Sequence, residues 1–317
     1  MLRRMDPLRV LNEQQGFFTR ADALRHGYDD HAIGRALRSR GWRRLRVGTY
    51  TYSDLWPETA ERLLTVRSRS VFHKLGGAVA LSHTSAAVEH GLRLWDVDLS
   101  LVHVTRLDGG AGRTESGVQH HEGFTLTSDL AERSGALVTG AARAAIETAS
   151  LVRGEAGLVV LDSAVEQGLC TNRDLDDAYE VLRFWPDMLG VGPLVRMADG
   201  GAQSVGESRS RYLFYSHAIP APKTQFAVED EHGHVVAATD FGWPEHEAVG
   251  EFDGKLKYGR LLRPDQDPGD AVFAEKKRED MIRDLLPGWS FIRLTWSDLY
   301  APARTAERVR AKLGSVA

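Results

Sequence analysis

Hydrophobic positions along the chain follow two rhythms, one helical and one alternating. Leu8, Val10 and Leu11 predict a short helix over 5–15 that Gly16 breaks. Thr19 stands three residues before Asp22, a helix-capping arrangement, and the helix it opens ends at Gly27. Asp29 or Asp30 caps a third helix with Ile33, Ala36 and Leu37 on one face. Arg35, Arg38 and Arg40 lie largely off that face. Trp42 to Tyr52 alternates bulky and polar residues around Gly48, as a β-hairpin does. Helices are expected next at 57–74 and 81–95, strands at 101–105 and 117–121, and helices at 140–153, 155–167, 172–183 and 193–199. A helix from Ser204 then precedes strands at 225–230, 235–241 and 248–255, a helix at 276–286 and a strand at 290–296.

The chain has 317 residues, enough for about two domains at roughly 150 residues each. No apolar run approaches the roughly 18 residues of a spanning helix. Arg3 and Arg4 are not followed by the apolar stretch of a secretory signal. Cys170 is the only cysteine, which excludes an intrachain disulfide and fits a reducing cytoplasm. The net charge of −4 argues against a general nucleic-acid binder, but its distribution changes that picture. Residues 1–52 carry eleven arginines and five acids, whereas the rest carries 29 basic and 39 acidic residues. A basic leading module on an acidic body is a signal of partner binding.

Three short helices and a basic hairpin are the parts of a winged helix-turn-helix. Its third helix would enter the major groove, and Arg43, Arg44 and Arg46 would meet phosphates. The string GFFTRADALRHGYDDHAIGRALRSRGWRRLRVGTY resembles the N-terminal domain of the AbiEi family, antitoxins of type IV abortive-infection systems. The resemblance implies a winged helix that binds DNA.

The middle shows no site. His83, His103, His120 and His121 match no standard metal-ligand spacing and read as core or surface histidines. Cys170 reads as a buried small residue.

Acids are placed more pointedly near the C-terminus. Asp240 ends one strand, and Glu251 and Asp253 share a face of the next while Phe252 points the other way. Glu207 can approach from the preceding helix, although Ser204-x-x-Glu207 is also a capping box. Converging carboxylates repel unless a cation joins them, and hard oxygen ligands suit Mg²⁺ or Mn²⁺. SVGESRSR (204–211), TDFGWPEHEAVGEFDGK (239–255) and EKKREDMIRDLLPGWSFIRLTW (275–296) resemble the PD-(D/E)xK nuclease superfamily, closest to the small domains akin to very-short-patch-repair endonucleases. The resemblance implies Asp240 as first acid, Glu251 as second and Glu207 as helix acid. The expected lysine position holds Asp253, and Lys255 two residues on is its substitute if the strand continues past Gly254. Lys276, Lys277 and Arg278 read as a solvated helix face.

The expectation is an α+β protein. A winged helix-turn-helix would span 1–55. A mainly helical middle region with a short sheet would span 56–200. An α/β restriction-endonuclease-like domain would span 201–317. One functional reading is a metal-dependent DNA nuclease active against phage or mobile DNA. It has Asp240, Glu251, Lys255 and Glu207 in catalysis, and Asp240, Glu251 and Asp253 on the metal. The alternative is a non-catalytic AbiEi-type antitoxin and repressor with a retired nuclease fold, whose partners are DNA and a cognate toxin or a second copy of the chain. A third is an interaction module with neither activity.

Overall fold

The computed structural model describes residues 6–123, 125–152, 154–254, 278 and 280–314. They form two compact units. The first takes the residues up to Leu92 together with Asp96–Leu151, and the second takes Arg93–Trp95 together with the residues from Val152 on. The span 56–200, expected as one middle region, is thus shared between the units. No helix of the described residues is long and apolar enough to cross a membrane.

The first unit opens with helix α1 (Pro7–Gln15), strand β1 (Phe18–Thr19), α2 (Arg20–Arg25), α3 (Asp30–Arg38), β2 (Trp42–Arg46) and β3 (Thr49–Tyr52). Each helix start has a chemical cause. The Asp6 carboxylate accepts from Leu8 N, Thr19 and Asp22 cap each other, and Asp29 accepts from Ala32 N. Asp29 rather than Asp30 is therefore the cap of α3. The strands form an antiparallel sheet in the order β1-β3-β2. Leu8, Phe18, Ala23, Ile33, Trp42 and Tyr50 close its core.

Helix α4 (Ala60–Leu75) leads into a second sheet. Its elements are β4 (Val79–Leu81), α5 (His83–His90), β5 (Val102–Arg106), β6 (Arg113–Glu115), β7 (Val118–His121), β8 (Leu130–Arg133), β9 (Ala136–Thr139) and α6 (Ala141–Leu151). The six strands run in the order β6-β7-β5-β4-β9-β8, with parallel pairs β5/β7 and β4/β9. This corrects the expectation of a short sheet. Four of its six strands give no alternation that the sequence shows: β4 is buried throughout, β6 is exposed throughout, and β8 and β9 span four residues each. Helix α5 is also shorter than expected, because Gly91 caps it in the left-handed region at φ +75°.

The second unit begins with α7 (Glu155–Glu166), α8 (Asn172–Leu182), α9 (Val191–Met197) and α10 (Val205–Ser216). Strands β10 (Lys223–Glu229), β11 (Val235–Trp243) and β12 (Ala248–Asp253) follow. Residues 280–285 are helical (α11), and β13 (Ser290–Thr295), α12 (Trp296–Leu299) and α13 (Pro302–Lys312) complete the unit. The sheet order is β10-β11-β12-β13, antiparallel except for the parallel β12/β13 pair. Phe214 and Leu213 of α10 and Val309 of α13 share a buried cluster with Phe241, Trp243 and Leu294. Ile282 of α11 shares another with Val228 and Val249. The sheet is therefore covered on both faces. Trp243 is a core residue, 2% exposed, with its indole N–H donated to Pro220 O at 2.7 Å.

Candidate carboxylate site and basic groove

Three of the acids singled out in the sequence gather at one end of the second unit's sheet. Residues Phe241, Gly242 and Trp243 pair with Gly250, Val249 and Ala248, so continuing the register sets Asp240 opposite Glu251. The ladder does not simply continue, however. The Asp240 carboxylate takes the backbone N–H of Phe252 at 2.7 Å. A side chain thus replaces a ladder partner where β11 and β12 part.

Helix α10 brings the third acid. Ser204 Oγ accepts from Glu207 N at 3.2 Å, which is the capping contact. The Glu207 carboxylate accepts from Gln203 N at 2.9 Å and is also hydrogen-bonded by the Ser204 side chain. The helix comes this close because of the residue before it. A Cβ added to Gly206 would lie 1.9 Å from the Phe252 ring, so only glycine lets that turn of α10 rest on the ring.

Electrostatics tie the three together. Glu207 is only 7% exposed, and burial pushes its carboxyl above the ordinary range. The Ser204 hydrogen bond pulls against that rise, and the neighbouring Asp240 charge adds to it. Burial also raises Asp240, opposed by the Phe252 N–H and by the Arg278 charge. Arg278 Nη2 donates to Glu251 Oε1 at 2.6 Å and Nη1 donates to Ala238 O at 3.2 Å. Arg278, expected on a solvated helix face, therefore turns to the carboxylates. Its placement depends on long-range packing, and no spacing in the sequence announces it.

The remaining expected site residues stand as follows. Asp253 lies two residues beyond Glu251 on the same face of β12, in register with Thr295 and half-buried. Lys255, with Lys276 and Lys277, lies outside the described residues. The donor set of Glu207, Asp240 and Glu251 is all oxygen, the chemistry that suits a hard divalent cation, and the Asp240 charge raises the Glu207 carboxyl.

The arginines divide between two places in the first unit. Arg35 and Arg38 are exposed on α3, and Arg40 follows it, also exposed. Arg43 stacks on Trp56, 3.5 Å from the ring centroid. Arg44 and Arg46 line a groove of about 800 Å³ with Arg67, Lys74 and Arg113. Arg46 Nη1 is buried with no hydrogen-bond partner among the described residues.

No family model matches the chain. Two proteins of Mycobacterium tuberculosis are similar to it: "Uncharacterized protein MT2308" of strain CDC 1551 / Oshkosh and "Uncharacterized protein Rv2248" of strain ATCC 25618 / H37Rv. Each is 27% identical over 272 residues, which covers 85% of this chain and 92% of the relative. Among solved structures, the crystal structure of the RV2827C protein from Mycobacterium tuberculosis matches with a TM-score of 0.40 and 16% identity, over 69% of this chain and 83% of that one.

Proposed function

We propose that the protein binds DNA through its first unit and hydrolyses phosphodiesters, with Mg²⁺ or Mn²⁺, through a PD-(D/E)xK-like domain spanning 201–317, in defence against phage or mobile DNA. The observation that carries this reading is the gathering of Glu207, Asp240 and Glu251 from three elements around the parting of β11 and β12. The order of helix, three antiparallel strands, helix and a fourth strand parallel to the third supports the nuclease resemblance.

The roles follow from position. Asp240 and Glu251, with Asp253 beside them, supply the metal ligands. A bound divalent ion would lower the pKa of an attacking water and stabilise the leaving oxygen. Glu207, whose carboxyl burial raises above the ordinary range, sits beside Asp240 as a group able to exchange a proton. Arg278 is a ready cation for a phosphate oxygen once its carboxylate partner turns to metal. Lys255 keeps the role that the resemblance implies.

DNA binding rests on the first unit. Its three short helices, β1 and the basic hairpin have the element order of a winged helix, with Arg35 and Arg38 exposed on the third helix. The groove lined by Arg44, Arg46, Arg67, Lys74 and Arg113 is suited to a phosphate backbone.

The test is cleavage of duplex and single-stranded DNA across Mg²⁺ and Mn²⁺. The wild type should cut only with metal, and Asp240→Ala should not cut. Equal inactivity of the two in every condition would overturn the nuclease reading.

A second reading has its own support. Arg278 already neutralises Glu251, and Asp253 stands where the superfamily places lysine. Both suit a retired nuclease in an AbiEi-type repressor, with a cognate toxin or a second copy as partner. Specific retention of the DNA upstream of its own gene, without cleavage and without any effect of Asp240→Ala, favours that reading.

A further inference from the structure

Three histidines from separate elements of the first unit meet away from the residues used above. His83 opens α5, His103 lies in β5 and His121 ends β7. One ring nitrogen from each lies within 4.8 Å of the others. The His83 and His121 rings stack with centroids 3.7 Å apart, and His103 Nδ1 stands 2.8 Å from His121 Nε2. Adjacent His120 faces the other side of β7.

The backbone around the cluster is pinned. Ser82 N donates to His103 O at 3.1 Å, His103 N donates to Ser85 Oγ at 2.9 Å, and His83 N donates to Glu147 Oε2 at 3.2 Å. His83 takes φ +49° at the first position of its helix. That left-handed conformation is costly for a residue with a side chain and persists where the surroundings enforce it.

We propose that His83, His103 and His121 form a binding site for a first-row divalent transition metal of the zinc class. Imidazole nitrogens suit Zn²⁺, Ni²⁺, Cu²⁺ or Co²⁺ and are poor ligands for Mg²⁺, so this is a different chemistry from the carboxylate cluster. His83 Nδ1 faces Ser82 Oγ at 3.0 Å and the Glu147 carboxylate at 3.8 Å. That anchors one nitrogen on protein groups and turns Nε2 to the ion, the usual arrangement behind a metal-bound imidazole. Three nitrogens at zinc-ligand distance on a tetrahedral ion would stand about 3.3 Å apart. The ring nitrogens lie within 4.8 Å of one another, so binding turns the rings to close that spacing. Burial lowers the pKa of all three, to about 4 for His103 and His121; the charges of His121 and His103 add to the lowering at His83, and that of His121 to the lowering at His103. His121 is only half-buried, which gives an ion a way in.

The test uses the untagged full chain, stripped with a chelator and titrated with Zn²⁺ and with Co²⁺. One tetrahedral site per chain is expected, read from the intense visible bands of tetrahedral Co²⁺. His103→Gln and His121→Gln should each abolish those bands. Circular dichroism separates loss of ligand from loss of fold, and His121→Gln, at a half-buried position, decides if His103→Gln does not fold. Wild-type protein that takes up no Zn²⁺, or binding equal in wild type and a folded His121→Gln, would overturn the proposal.

Discussion

Asp240 and Glu207 show how a single side chain is read for both stability and function. Both carboxyls are raised by burial, so the folded chain holds more protons than the unfolded chain just above the ordinary carboxylate range. Stability contributed by these groups therefore falls as pH rises through the raised values. Asn at 240 keeps an oxygen for the Phe252 N–H and removes the charge. Denaturant unfolding of Asp240→Asn should give at least wild-type stability at pH 8, with the difference shrinking towards pH 4. Gly206 makes a steric claim instead. Gly206→Ala must displace the Phe252 ring and should cost about 1–3 kcal/mol. Phe252→Leu should relieve part of that cost, which a double-mutant cycle measures. The acids were legible in the sequence because strand alternation fixes which residues share a face. Arg278 and the three histidines were not, since each cluster draws on elements far apart in the chain and only the packing brings them together.

Elements are held to one another by a few buried polar groups. Asn12 of α1 is 2% exposed, and its Oδ1 accepts from Thr51 Oγ at 2.9 Å and Tyr52 N at 2.7 Å. Asn12→Ala removes the acceptor of both donors, leaving Thr51 Oγ only its 3.4 Å contact to Tyr52 O, and should cost about 1–3 kcal/mol in urea unfolding. A larger loss belongs to α6. Arg143 Nε donates to the fully buried Glu147 at 2.8 Å, and Nη1 donates to Asp129 at 2.7 Å. Arg143→Met strands Glu147 as a buried charge and should cost about 3–5 kcal/mol. Capped helices such as α3 and α10 were readable within a few residues, because the cap marks the start and, in α3, an apolar stripe marks the face. The six-stranded sheet was not. Its strands are short, and β4 and β6 carry no alternation because one is buried and the other exposed on both sides.

At the scale of the whole molecule, charge divides the chain more clearly than length does. The excess of arginine lies in residues 1–52, and the acidic excess lies beyond them. If the basic groove carries phosphate contacts, DNA affinity falls steeply with salt, by a log–log slope of about 0.9 per contact. Arg44→Ala together with Arg46→Ala should flatten that slope by about one to two units in a filter-binding series. Length alone suggested about two domains, and two units are present, but the boundary at Leu151 falls inside a span that gave no compositional sign of it. The central proposal concerns the second unit: Asp240 and Glu251, with Asp253 beside them, would bind a hard divalent cation next to Glu207. Calorimetric titration with Mg²⁺ tests it most directly, since imidazoles scarcely compete for that ion. The account predicts one Mg²⁺ per chain, an affinity at least about tenfold lower in Asp240→Asn and in Glu251→Gln, a loss of about 1.4 kcal/mol or more, and no change in His121→Gln. Mg²⁺ binding that is absent from the wild type, or equal in wild type and Asp240→Asn, would contradict it.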